Sequence, residues 1–476
     1  MASGAEHSPV TEPWRLSAGE LLAAYARREL SPVEVVADLL DRIEALNPIL
    51  NAYLAVDAEG ALAAARAAER AWRDGAAPAS RPLCGVPVSV KDTIEIAGMP
   101  TTYGSAAFRD HHAPDSEIGR RLRAAGAVIV GKTNTSEFAL STYTMNRLGG
   151  PAVNPWHTGH TAGGSSGGAG AAVAAGLGPI GIGTDSAGSI RLPAAYNGVF
   201  GLKPTFDAIP AIQRWRASPT RSHNGVLTRT VADAALAMRV LARTEVRQDA
   251  PSPEWLRGRR IGVPPRAEDG GTDVVALASE TLARLGAEVV STTPPPPFSS
   301  LPSELEPGVW AYSGEHHAAA EGLISDFWEK HSRDLTGYAY PIYEAGRRAL
   351  AWQYRRVLDL NVRYAAAVRE WFDELGLDFV LTPVAPEAPP QPGSEEAGGL
   401  GPRFPALSMW NITGNPAAAV PMGRGPSGLP LAAQIVGRYG DDQGVLAVSA
   451  ALERARPWRE AWPALAERVD ASTRTD

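Results

Sequence analysis

The stretch "TAGGSSGGAGAAVAAG" at residues 161–176 sets two adjacent serines between two pairs of glycines. A flexible linker, a phosphate cradle and a backbone bent to aim a serine are the three readings it admits. A linker would not run straight into an alanine-rich helix. A phosphate loop needs a Lys followed by Ser or Thr after its glycines, and neither follows here. The reading that remains is a serine held where only glycine-flanked backbone can go. A second stretch, "GPIGIGTDSAGSIR" at 178–191, reads as a strand, a tight glycine-containing turn bearing Ser189, and an arginine. Successive backbone N–H groups in such a turn face one concavity and can hold an oxyanion. A serine there stands where a nucleophile would, and a hydroxyl needs a base. No histidine flanks either serine element in a recognisable hydrolase context. The other solution is a lysine kept neutral by burial, and "GVPVSVKD" supplies Lys91 at the end of a buried strand.

Taken together, "GVPVSVKD", "VGKTNTSEFA", "AGGSSGGAGAAVAAG", "GTDSAGSIRLPAAYNGVFGLKPT" and "TRTVADAA" resemble the amidase signature family. The N-terminal "LSPVEVVADLLDRIEALNPILNAYLA" and the C-terminal "NITGNPAAAVPM" and "GLPLAAQIVGR" fit the same pattern. The resemblance runs from about residue 16 to 456, is specific over 83–232 and is weak over about 240–400. It implies a Ser–cis-Ser–Lys triad of Lys91, Ser165 and Ser189, with the peptide bond before Ser165 cis and Ser189 the nucleophile. It also implies an oxyanion hole from the backbone N–H groups of Ser186, Ala187, Gly188 and Ser189, braced by Asp185 and Arg191. Ala139 and Ser141 are the candidates for lining the substrate. The family usually has glycine where Ala187 stands, which makes the oxyanion geometry the point to examine. The implied chemistry is hydrolysis of an amide-type C–N bond through an acyl-enzyme, without metal or organic cofactor. Aryl or hydrophobic amides and anilides, carbamates (urethanes) and esters are its substrate candidates. The alternative reading is the glutaminase subunit of a tRNA-dependent amidotransferase, which works within a complex.

Each residue also has a plainer reading. Ser166 competes with Ser165 for the bridging role, though motif position favours Ser165. Lys132, in "VGKTN", is the rival base and reads better as a turn lysine. Cys84 reads as a small core residue. His157 and His160 of "HTGH", in a glycine-containing loop, and His317 with Glu321 one helical turn on, lack the further ligands of a closed metal site. Trp310, Trp328, Trp352 and Trp371 read as core more readily than as pocket, and with Trp410 they lie in the segments from which substrate selectivity must come. Those in the variable section leave an aromatic-lined acyl site open.

The elements that must position these groups follow from periodicity. Apolar residues recur at helical spacing from Leu16 to Leu54, with Ser31 as N-cap and Pro32 at the first helical position. A third helix is predicted over 58–74, a strand at "GVPVSVKD", and helix then strand through "IGRRLRAAGAVIVGKTN". Helix over 170–176 precedes the strand "GPIGIG". "RTVADAALAMRVLA" is an amphipathic helix, and "RRIGVPP" to "GAEVVSTTPPPP" a strand–helix–strand unit. Residues 303–376 read as almost wholly helical, 386–402 as a Pro/Gly-rich loop. "NPAAAVPMG" and "LAAQIVG" read as strands before a last helix at 442–456. The alternation of helices with doubly apolar strands predicts a mostly parallel sheet covered on both faces. The expected fold is therefore α/β: a single α/β/α domain over 15–460 with a large mixed, twisted sheet. Residues 1–14 and 461–476 are expected to be flexible ends.

Bulk properties narrow the partners. A net charge of −7, with Lys and Arg spread along the chain, disfavours nucleic acid and anionic membrane. The single cysteine admits no intrachain disulfide and fits a reducing, cytoplasmic setting. No apolar run reaches the ~18 residues of a spanning helix, and the start lacks a basic and apolar leader. The expected partner is a small-molecule substrate, and the expected state a monomer or homodimer.

Overall fold

Ser31 opens the long N-terminal helix as its sequence predicts: its hydroxyl accepts from Val33 N–H, and the Glu34 side chain accepts from Ser31 N–H. The computed structural model describes residues 12–75, 80–210, 218–247, 253–265, 273–295, 307–385, 388–392 and 405–472. Helices α1 (Ala18–Arg27) and α2 (Pro32–Leu50) lead to β1 (Tyr53–Val56) and α3 (Ala58–Arg73). Then come β2 (Pro87–Lys91), α4 (Glu117–Ala124) and β3 (Val128–Thr133). A small hairpin, β4 (Val153–Asn154) and β5 (His157–Thr161), precedes α5 (Gly167–Ala174), β6 (Ile180–Asp185) and α6 (Arg191–Asn197). Next are β7 (Phe200–Lys203), β8 (His223–Thr228), α7 (Val231–Leu241), β9 (Arg260–Val263), α8 (Val274–Arg284) and β10 (Glu288–Ser291). A helical section follows: α9 (Pro307–Leu323), α10 (Phe327–His331), α11 (Ala339–Arg347) and α12 (Ala351–Glu374). The chain closes with β11 (Phe379–Pro383), α13 (Pro405–Ile412), β12 (Ala417–Arg424), β13 (Pro430–Gly437), α14 (Asp442–Ala455) and α15 (Ala464–Ser472).

Eleven strands form one mixed sheet in the order β1-β3-β2-β6-β8-β7-β12-β13-β11-β9-β10. The expectation of a mostly parallel sheet is corrected here. Parallel pairing is confined to β3-β2-β6 and β11-β9-β10, and the centre is antiparallel. The cause lies in the connections: the short turn between β12 and β13 holds no crossover helix, and parallel neighbours need one. Helices cover both faces, giving a single α/β/α domain. One core layer packs α4, α7, α8 and α14 onto Val88, Val90, Ile180 and Ile182. On the opposite face α2, α3 and α5 pack on Val128 and Val130, and α5 and α6 on Leu227 and Ala419.

That division places the chemistry. Side chains alternate across a strand. With Val88 and Val90 in the first core layer, Ser89 and Lys91 face the α5 side. The same alternation turns Gly181 and Gly183 of β6 toward α5, where added Cβ atoms would meet Ala169 Cβ at 3.2 Å and Ser166 Oγ at 2.9 Å.

Other expectations also change. "HTGH" is a strand of the small hairpin rather than a loop, with His160 Nδ1 2.6 Å from the Pro389 carbonyl. Trp14, assigned to a frayed end, is buried edge-on against Trp462 at 4.6 Å, and Trp462 falls in the tail expected to be flexible. Arg42 stacks on Trp14 at 3.9 Å and Arg229 on Trp462 at 3.5 Å. Arg42 also donates to the Ala466 carbonyl in α15 at 2.9 Å. A lone tryptophan in a polar stretch gives no periodicity, so its partner about 450 residues away was not legible. Residues 1–11 and most of the 386–402 loop lie outside the described residues, as does the Trp310 side chain.

Candidate active site

Lys91 ends β2 fully buried, with Nζ 2.7 Å from Ser165 Oγ and 2.8 Å from Thr184 Oγ1. Burial pushes the Lys91 ammonium down from the usual lysine range to about 7, and the Asp185 charge offsets only part of that. Uncharged, the amine can donate to Thr184 and keep its lone pair for the Ser165 hydroxyl. Thr184 stood inside a quoted motif, yet nothing in its spacing marked it as a partner of Lys91.

The peptide bond between Gly164 and Ser165 is cis. Close backbone contacts explain the surrounding glycines. An added Cβ on Gly164 would come within 2.8–2.9 Å of the Ser141, Thr142 and Tyr143 backbone. On Gly168 it would lie 2.4 Å from Ala52 O and Asn134 N. Ser166 turns the other way: its hydroxyl donates to the Thr184 carbonyl at 3.2 Å, tying α5 to β6. Ser165 is thus the serine that meets Lys91.

Ser189 lies in the turn between β6 and α6, partly exposed, as Lys91 and Ser165 are not. The two serine elements are joined by Ser166 N–H, which donates to the Ser189 carbonyl at 3.2 Å. No hydrogen bond joins the Ser165 and Ser189 hydroxyls in this structure.

The turn expected to hold the oxyanion has one of its four N–H groups already engaged. Gly188 N–H points into Asp185 Oδ1 at 2.7 Å, and Ile190 N–H into Asp185 Oδ2 at 3.1 Å. Gly188 is therefore occupied, and the N–H groups of Ser186, Ala187 and Ser189 remain. Gly188 has φ +113°, where side chains rarely go, and its missing Cβ would sit 2.5 Å from Leu407 Cδ1. Ala187 has no such constraint: its φ lies outside the left-handed region and its methyl is exposed. Alanine replaces the usual glycine there without backbone strain.

Beneath the turn, Arg191 grips Asp185 with Nε at 3.0 Å and an Nη at 2.9 Å, both side chains fully buried. Burial acts to raise the Asp185 carboxyl, but Arg191, with Lys203 and Asn411, overcomes this and holds it well below the usual carboxylate range. Arg191 also donates to Leu407 O at 2.9 Å, Gln434 Oε1 at 2.6 Å and Asn411 Oδ1 at 2.6 Å. Asn411 and Gln434 were missed in the sequence. More than 200 residues separate them from Arg191, and no local pattern signals such a contact.

Lys132 is not a turn lysine. It lies in β3, fully buried, with Nζ 3.1 Å from Asp92 Oδ1 and 2.8 Å from Thr101 Oγ1. Burial lowers its pKa, with Asp92 opposing the shift, and it touches neither serine. Residues 126–133, "GAVIVGKT", even spell a phosphate-loop pattern. Here that segment is strand rather than loop.

Ser141 reaches the site through its backbone beside Gly164, whereas Ala139 stands two residues earlier, partly exposed, at φ +57°. This segment is walled by Tyr103, Phe108, Phe138, Phe327, Tyr338 and Tyr343. Of the tryptophans, Trp328 packs against this cluster and on Tyr340, whereas Trp410 is core, Trp371 bonds Thr292 and Trp352 is 61% exposed. Cys84 is buried in a small core cluster. No group of three or more His, Cys, Asp or Glu among the described residues could hold a metal, and no helix among them is long and apolar enough to cross a membrane.

Comparison with known proteins agrees over nearly the whole chain. The family model described as Amidase matches residues 34–446. A "Putative amidase AmiB2" of Mycobacterium tuberculosis is 36% identical over 453 residues, covering 90% of this chain and 93% of that protein. A glutamyl-tRNA(Gln) amidotransferase subunit of Anaeromyxobacter sp. is 35% identical, covering 94% and 97%. The crystal structure of a bacterial aryl acylamidase of the amidase signature family superposes with a TM-score of 0.82 at 27% identity, covering 96% and 98%.

Proposed function

The chain belongs to the amidase signature family, and on that basis we propose that Ser189, Ser165 and Lys91 form the triad of a stand-alone amidase for uncharged, aryl-bearing substrates. It is a hydrolase of amide and anilide C–N bonds that works through an acyl-enzyme. The observation that supports the triad best is the buried 2.7 Å contact between Lys91 Nζ and Ser165 Oγ, with the lysine brought to about 7.

In this reading Ser189 Oγ attacks the carbonyl carbon as its proton passes to Ser165, whose own proton passes to Lys91. The Ser186, Ala187 and Ser189 N–H groups hold the tetrahedral oxyanion. When the C–N bond breaks, the proton on Lys91 returns through Ser165 to the leaving amine. Water then attacks the ester on Ser189 by the same relay and frees the acid.

The preference for aryl groups rests on the likeness to the aryl acylamidase, and the buried aromatic cluster behind residues 138–145, with Trp328 packed on it, holds the segment beside Gly164. Anilides come first, and activated aryl esters and carbamates follow because their leaving groups need less protonation. A glutaminase would have to pair both the ammonium and the carboxylate of its substrate.

Ser189→Ala is expected to abolish turnover, and Lys91→Ala to reduce it by ~10³-fold or more, as for groups that act as one unit. A fluorophosphonate adduct mapped by mass spectrometry should fall on Ser189. An adduct on Ser166 removes the triad assignment. Free glutamine outcompeting a p-nitroanilide, or aryl turnover that requires added partner chains, favours the amidotransferase reading. Gel filtration of the isolated chain alongside that assay reports whether it acts as a monomer, a homodimer or part of a complex.

A further inference from the structure

We propose that Asn411 is a positioning residue for the reaction: it aims the Ser186 N–H into the oxyanion concavity. The inference rests on the reading of Ser189 as nucleophile. The peptide unit joining Asp185 to Ser186 is planar and trans, so its C=O and N–H point in opposite directions. Whatever holds the Asp185 carbonyl therefore sets the direction of the Ser186 N–H. Asn411 Nδ2 donates to that carbonyl oxygen at 2.8 Å, and to Asp185 Oδ1 at 2.8 Å. Its other atom, Oδ1, accepts from Arg191 at 2.6 Å.

The ring is closed because Arg191 grips both oxygens of the same Asp185. Asn411 is fully buried, so water does not compete for its partners. The amide serves both sides at once from two separate atoms, Nδ2 donating to the carbonyl and Oδ1 accepting from the guanidinium. An aspartate there could not donate, and an aliphatic side chain would leave a buried carbonyl unpaired. Asn411 Nδ2 also lies 3.3 Å from His223 Nδ1 and 3.4 Å from the Arg221 carbonyl. Between those two residues is Ser222, whose Oγ is 2.7 Å from Ser186 Oγ. Both flanks of Ser186 are thus registered against one amide. Gln434 differs: it holds the outer edge of Arg191 and touches no peptide group of the turn.

The test compares wild type with Asn411→Ala on a p-nitroanilide and with phenylboronic acid. The boronate becomes tetrahedral on Ser189 and puts an oxygen where the oxyanion forms. A donor left in place but misdirected should cost less than deletion, so kcat is expected to fall about 10- to 100-fold against the 10²–10³ of a removed donor. KM should change by less than about threefold, since the ground state does not use the hole. Boronate affinity should fall in step with kcat, which a merely structural role would not produce. If Asn411→Ala does not fold, Asn411→Ser keeps a hydroxyl able to donate to the Asp185 carbonyl and should show a smaller loss of the same kind. An unchanged kcat in a folded variant, or a lower kcat with unchanged boronate affinity, overturns the proposal. Fluorophosphonate labelling of wild-type Ser189 separates the two ideas. A failed label overturns the triad, and a labelled wild type with an unaffected variant overturns the role of Asn411 alone.

Discussion

In the proposed mechanism Lys91 carries the pH dependence. Burial disfavours its charged form, so the group loses its proton near 7 rather than in the usual lysine range. Only the neutral amine can accept the relayed proton. kcat/KM for a non-ionising anilide should therefore rise with pH through about 7 and level off above it. Neither Asp185 nor His223 adds a second limb in that window. Asp185 stays ionised beside Arg191, and burial, reinforced by Lys203, keeps His223 neutral far below its ordinary range. A profile that falls between pH 6 and 8 would mean a different base. Stopped-assay rates across that window, corrected for unfolding, decide the point.

Among the elements, the oxyanion turn is shaped by what lies behind it. Gly188 combines φ +113° with a close approach to Leu407 in α13, so Gly188→Ala must move either the turn or the helix. We expect kcat to fall by at least ~10²-fold, as when an oxyanion donor is lost. Ala187→Gly relieves nothing and should leave kcat within about threefold. Side-by-side kinetics of the two variants check both outcomes.

How far these elements were legible follows from the range of the forces involved. The α2 cap at Ser31 and the buried strand at Val88 and Val90 are local and could be read directly, and the motifs around Lys91, Ser165 and Ser189 were legible through their resemblance to a family. Strand direction was not local, because doubly apolar strands look alike whichever way they run, and the parallel expectation failed at the sheet centre. Lys132 passed for a turn residue because its Asp92 partner lies far from it in sequence. Asn411 and Gln434 reach Arg191 only through the folded sheet.

For the molecule as a whole, two aromatic assemblies matter for different reasons. Tyr103, Phe108, Phe138, Phe327, Tyr338 and Tyr343 dock the helices of 327–347 onto the segment beside Ser165, which ties the variable section to the backbone next to the proposed triad. Glu137 reinforces this joint by accepting from Ser105 and from the Thr336 backbone and hydroxyl. The second assembly, around Trp14 and Trp462, is remote from the chemistry. Trp14→Ala removes a buried ring and its stack with Arg42, so it should destabilise by about 3–5 kcal/mol. kcat per folded molecule should not change. Denaturant unfolding with active-site titration checks both, and a kcat loss at full folding would tie this end to the site.

The pairing of Trp14 with Trp462 also bears on how the protein is made. On the ribosome the first indole emerges early, and its partner follows only after most of the chain has been synthesised. At about 5–20 residues per second that interval is tens of seconds. Throughout it Arg42 lacks its Ala466 acceptor and Trp14 its partner ring, although the apolar face of α2 already has β3 and α5 to pack on. Residues 462–472 leave the ribosome after the whole sheet and clasp Trp14 and α2. The body that holds the proposed triad is thus locked, rather than built, by residues 462–472.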